Sequence, residues 1–123
     1  MGLRDEIRAA DMAPPVARRF AEALREVASA DGHIASSELV ALESVIDGIT
    51  STEVEPAPFE ALWPVRDLLV RAAIYIAVVD GGYGVEEARK ISDMAHRLGL
   101  SAHMLAEVED SVFRELKARA FRE

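Results

Sequence analysis

The sequence predicts an all-α fold, a small bundle of about five to seven helices, and three observations lead there. Apolar residues recur at three- and four-residue spacing in one segment after another. No segment alternates apolar and polar residues as a half-buried strand requires. Most of the five prolines and seven glycines fall in or at the edges of the gaps between the periodic segments, where breaks belong. Hydrophobic residues make up 50% of the 123-residue chain but aromatics only 6%, so the core is built of Ala, Val, Leu and Ile. That length predicts one domain with a core that needs neither disulfide nor metal.

The elements follow in order. Leu3, Ile7 and Ala10 mark a short N-terminal extension helix within residues 1–14, stopped by Pro14-Pro15. Those prolines suit the first turn of a second helix, expected from Pro15 to Ala30, with Val16, Phe20, Leu24 and Val27 inward and Arg18, Arg19, Glu22, Arg25 and Glu26 outward. Asp31-Gly32 ends it. Ser36 is placed to cap a third helix with Leu39, Leu42, Val45, Ile46 and Ile49 as its buried stripe. Residues 48–63 read as a loop with a short turn at Phe59 to Leu62, and Pro64 as the start of a fourth helix reaching Val79. The fourth helix is apolar all round from Ala72 to Val79, which marks it as the centre of the fold. A fifth, about Val85 to Leu98, buries Ala88, Ile91, Ala95 and Leu98. Gly99 ends it, Ser101 caps the last helix, and that helix carries Leu105, Val108, Val112 and Leu116.

Charge and composition exclude several functions. The net charge of −8 repels phosphate backbones and anionic headgroups, so neither nucleic-acid binding nor membrane insertion is expected. The longest apolar run, Ala72 to Val79, is far short of the roughly twenty residues of a membrane span. With no cysteine there is no disulfide framework, thiolate metal site or thiol nucleophile. Arg8 and Asp11 interrupt any secretory apolar segment near the N-terminus, and a cytoplasmic protein is expected.

The most informative pattern occurs twice. Ala30-Asp31-Gly32 is followed by Glu38, and Asp80-Gly81 by Glu86 and Glu87, each time after an apolar helix. The repeat predicts two pseudo-repeated helical hairpins of about thirty to thirty-five residues each. A carboxylate is disfavoured at a helix C-terminus, so two such Asp residues ask for a cause. An EF-hand register puts Val27 and Ile76 at the first ligand position, where hydrocarbon cannot coordinate calcium. Two readings stay open. Each Asp can accept N–H bonds within its own bend while each Glu complements the next helix N-terminus. Alternatively, if the bends meet, Asp31, Glu38, Asp80 and Glu87 can share a hard divalent cation, calcium or magnesium.

These residues resemble the TerB-like (tellurite-resistance B) family of small helical bacterial domains. The resemblance rests on Ala30-Asp31-Gly32-His33-Ile34 with Glu38, on Ala77, Asp80-Gly81 and Glu87, and on the Leu98-Gly99-Leu100-Ser101 break. It spans about Val16 to Leu116, with Gly82-Tyr83-Gly84 standing where the family has a polar–aliphatic pattern. The resemblance implies a non-enzymatic domain in stress-response or membrane-associated complexes, with its acidic positions forming a metal-binding surface. Carried over by motif, those positions are Asp31, Glu38, Asp80 and Glu87.

The expected function is therefore an interaction or scaffold module that binds a protein partner through an acidic helical face. Its contact residues would be Asp31, Glu38, Asp80, Tyr83, Glu86 and Glu87. Such a partner would recruit the chain to the inner face of the membrane. The apolar fourth helix suits either a monomer core or a homodimer seam. His33 could add a nitrogen ligand at the first bend, whereas His96 and His103 belong to no zinc pattern. No nucleophile–base signature is present, and the glycines at 81, 82 and 84 follow a helix, not the strand that phosphate loops require. Phe59 and Trp63 read as a lid on the core, with partner contact as the second reading.

Overall fold

The computed structural model describes residues 3–30, 39–40, 42–43, 54–78 and 84–122. Within them every regular element is helical: α1 (Leu3–Ala9), α2 (Pro14–Ala28), a 3-10 helix (Phe59–Val65), α3 (Arg66–Val78), α4 (Val85–Arg97) and α5 (Ala102–Arg122). Residues 39–40 and 42–43 are helical as well. The all-helical bundle is thus as the sequence predicts. Both expected bends, at 31–38 and 79–83, lie outside the described residues, and with them the expected hairpin repeat.

Pro14 and Pro15 open α2, where a missing N–H costs little. The helix stops at Ala28, two residues before the expected end. There the Ser29 hydroxyl donates to the Arg25 carbonyl at 2.8 Å and the Ser29 N–H bonds the same oxygen at 3.0 Å. A serine that satisfies a helix carbonyl from the cap position supplies a stop that periodicity does not register. Phe20, Leu24 and Val27 are buried as their spacing requires.

Arg18 and Arg19, expected simply in solvent, hold the chain that returns past them. Arg18 Nη1 donates to the Val54 carbonyl (3.1 Å) and Arg19 Nε to that of Ala57 (2.6 Å). The Ala57 N–H in turn reaches the Pro15 carbonyl at 2.9 Å. Residues 54–58 therefore run as a strap along α2 and deliver the chain to the 3-10 helix. That helix extends through Pro64 to Val65, so α3 begins at Arg66 and not at the proline.

Helix α3 is the centre, in contact with α1, α2, the 3-10 helix, α4 and α5. Leu69, Val70, Ala72, Ala73, Ile74, Ile76 and Ala77 are all buried. They join Phe20, Leu24, Leu62, Ile91 and Leu98 in one contiguous core. Ile7 docks α1 onto this core, and a two-pronged Arg71–Glu6 pair fastens it to α3. No helix among the described residues is long and apolar enough to cross a membrane.

Two expected core positions need correction. Leu42 is buried, but Leu39 is 42% exposed and Val40 67%. At about 100° per residue, Leu39 lies some 60° from Leu42 around the helix, at the edge of the stripe, where burial depends on which neighbours arrive. In α4, Ala88 is half-buried while Met94 and Glu87 are buried beside Ile91 and Ala95.

The turn after α4 is as the Gly99-Leu100-Ser101 run predicts. Gly99 takes a left-handed φ of +78°, its N–H bonds the His96 carbonyl, and the Leu100 N–H bonds that of Ala95. This is a Schellman end, closed by the buried Leu100. Ser101 Oγ then accepts the Met104 N–H at 3.1 Å and caps α5. Val112 of α5 is buried and Leu105 and Val108 are packed against the core; the Leu116 side chain is outside the described set.

Gly99 carries a second constraint. A Cβ there would lie 2.5 Å from Cη2 of Trp63, whose ring covers the turn. Gly99→Ala is expected to cost at least about 1–2 kcal/mol from the left-handed backbone alone. The collision adds to it, and denaturant melts of Gly99→Ala, Trp63→Ala and the double variant should show favourable coupling of about 0.5 kcal/mol or more. Ser101→Ala should cost about 1 kcal/mol in the same assay.

Candidate functional site

Helices α2 and α4 run antiparallel side by side. Arg19, Ala23, Phe59 and Arg97 border one cavity of about 270 Å³. Farther along, Glu26 and Lys90 pair at 3.5 Å, and Ala30 and Glu86 line a second, open groove of about 540 Å³. Moving up α2 thus means moving down α4, so the C-terminal end of α2 meets the N-terminal end of α4. Their opposed helix dipoles suit that arrangement. Ala30 immediately precedes Asp31, and Glu86 lies six residues after Asp80. The chain on one side of each Asp-Gly bend therefore borders the same groove.

Ser29, Arg89, Lys90 and Asp93 complete the lining, so the groove is charged with both signs. Arg89, Lys90 and Asp93 escaped the sequence reading, which followed the acidic motif. Their signal was available: 86, 89, 90 and 93 recur at the spacing of one helix face.

Of the six residues expected to bind a partner, Asp31, Glu38, Asp80 and Tyr83 lie outside the described residues, as does His33. Glu86 and Glu87 are described, and they differ sharply. Glu86 is exposed on the groove, whereas Glu87 is only 6% exposed and its Oε2 is shut off from solvent. Gly84 is the N-cap of α4, which puts Glu87 at its third helical position. Glu87 Oε1 sits 2.9 Å from where a Gly84 Cβ would be, so the carboxylate folds back over the cap as in a capping box. Glycine leaves room for it. Of this adjacent pair, Glu86 is the one exposed to solvent.

The aromatic pair lies near the far end of α4. Arg97 stacks on Phe59 and Arg66 on Trp63, each at 4.1 Å from the ring centroid. Phe59 packs against the core, while Trp63 covers Gly99 and stays 49% exposed. His96 and His103 are exposed, and His103 Nε2 lies 3.1 Å from Glu107. Among the described residues no group of three or more His, Asp or Glu is placed to hold a metal ion.

Comparison with family models, curated proteins and solved structures gives no match to this chain.

The two glutamates make a direct test of their different settings. Glu87→Ala should lower unfolding stability by about 1 kcal/mol through loss of the helix N-terminal contact. Glu86→Ala should stay within about 0.5 kcal/mol, as for an ordinary surface site. Urea unfolding of both variants checks this.

Proposed function

We propose that the chain is a non-enzymatic, TerB-like interaction module that docks a protein partner at the end where the two Asp-Gly bends begin and end. One observation carries this reading: the end of α2 and the first turn of α4 line one open, charged groove of about 540 Å³. Asp31, Glu38, Asp80 and Tyr83 flank the helices that form it in sequence, and Glu86 is on its wall. A groove with charges of both signs favours a polar protein surface over a small apolar ligand, since oriented charge pairs select partners and register. The TerB-like resemblance supports a place in a stress-response or membrane-associated complex of the cytoplasm, with any membrane contact made through the partner.

The test is partner capture with the intact chain and with an Asp31→Lys/Glu86→Lys variant, each identified by mass spectrometry. A partner retained by the first and lost by the second is expected. The same set from both, or none from either, overturns the proposal.

A second reading is that Asp31, Glu38, Asp80 and Glu87 hold calcium or magnesium between the bends, which requires the Glu87 carboxylate to leave the cap of α4. Carboxylates brought together repel unless a hard cation sits among them. Calorimetric titration with calcium, magnesium and manganese should then show binding that an Asp31→Asn/Asp80→Asn variant loses. Equal heats from both proteins remove this reading.

A further inference from the structure

Helix α1 is seven residues long, too short to persist in water by itself, so its order depends on docking. Of its described side chains only Ile7 is buried; Glu6 is half-buried, and Asp5, Arg8 and Ala9 are exposed. Ile7 enters the core, and Glu6 pairs with Arg71 of α3. A helix docked in this way opens locally at a lower free energy than the bundle as a whole.

The turn that folds α1 back onto the bundle is concentrated at one residue. The Ala10 and Asp11 N–H groups close the end of α1 on the Glu6 and Arg8 carbonyls. Asp11 has a φ of +48°, and among the described residues no other non-glycine takes a positive φ. Left-handed backbone is unfavourable for a residue with a Cβ, even for Asp, which tolerates it better than most. Two residues later Ala13 is already extended, with φ −58° and ψ 147°, as suits a residue before Pro14. Releasing Asp11 into the extended region straightens the connection, swings α1 away from its own bundle and relieves the strained dihedral in one step.

We propose that the chain dimerises by exchanging α1: residues 10–13 extend in each copy, and α1 docks on α3 of the other. The occupant fits by construction, since Ile7 meets the same core site and Glu6 the same Arg71 in the closed and exchanged forms. Exchange of an identical element is a low-cost route to a dimer, and a short strained hinge favours it. No residue of α1 or of the 10–13 connection lines the groove between α2 and α4, so the exchange is independent of partner docking there.

The Glu6–Arg71 pair supplies the test. Glu6→Arg and Arg71→Glu each place like charges together in a closed monomer. When the two variants are unfolded in urea and refolded as a mixture, an exchanged heterodimer restores opposite charges at both docking sites. Native mass spectrometry should find that heterodimer at least about fivefold above random pairing, with thermal melts checking that each variant folds. Two hinge variants act in opposite directions on the otherwise unchanged chain, read as dimer fraction by light scattering at matched concentration. Asp11→Gly accepts the left-handed turn and should reduce the dimer by about fivefold or more. Asp11→Pro cannot take a positive φ and should raise it by a similar factor. Random pairing, or no dimer in the mixture, overturns the proposal. So does a dimer that neither hinge variant shifts, which would be an ordinary association of closed monomers. Should either charge variant fail to fold, the hinge variants alone decide.

Discussion

Helix α3 can hide its apolar circumference only if other elements close around it, and the rest of the packing answers that demand. Its inner turns present Ala72, Ala73 and Ala77 among Ile74 and Ile76. Small side chains let neighbouring helices approach closely, and the larger ones fill the gaps between them. Helices α1, α2, α4, α5 and the 3-10 helix all touch α3. A polar residue introduced at Ala73 or Ile76 would be buried with no water to satisfy it, and α3 accordingly carries no charge after Arg71.

Polar groups then decide where the surrounding pieces stop and how they are held. Ser29 ends α2, Gly99 ends α4 and Ser101 starts α5, each through hydrogen bonds with backbone. Arg18 and Arg19 bind carbonyls of the 54–58 strap, which has no regular ladder of its own. Backbone groups of such a strap need partners wherever they are shielded from water. Guanidinium groups from a neighbouring helix meet that need without adding a strand.

The groove between α2 and α4 is a consequence of the same packing. Antiparallel contact of the two helices brings a partially negative terminus beside a partially positive one. Glu87 is buried with its carboxylate folded toward the Gly84 cap, and Glu86 is left on the wall. Adjacent residues of the same type thus serve stability and accessibility separately, because a helix turns about 100° between them.

Much of the fold was legible without coordinates. The 3.6-residue period of Phe20, Leu24 and Val27, the all-apolar run within α3, and the Gly99–Ser101 break each act within one or two helical turns. Local spacing and backbone chemistry suffice to specify such features. Less was legible of the site: the acidic motif pointed to Glu86 and Glu87 alike, and Arg89, Lys90 and Asp93 were passed over. Only tertiary packing separates a carboxylate that folds back over its own cap from one facing a groove. The outward turn of Leu39 and the return of the strap to Arg18 and Arg19 belong to the same class. Sequence determines which face of a helix is apolar, since that is a property of the segment itself. How far around that face burial extends is decided by the neighbours that arrive, because exposure is a property of the assembled surface.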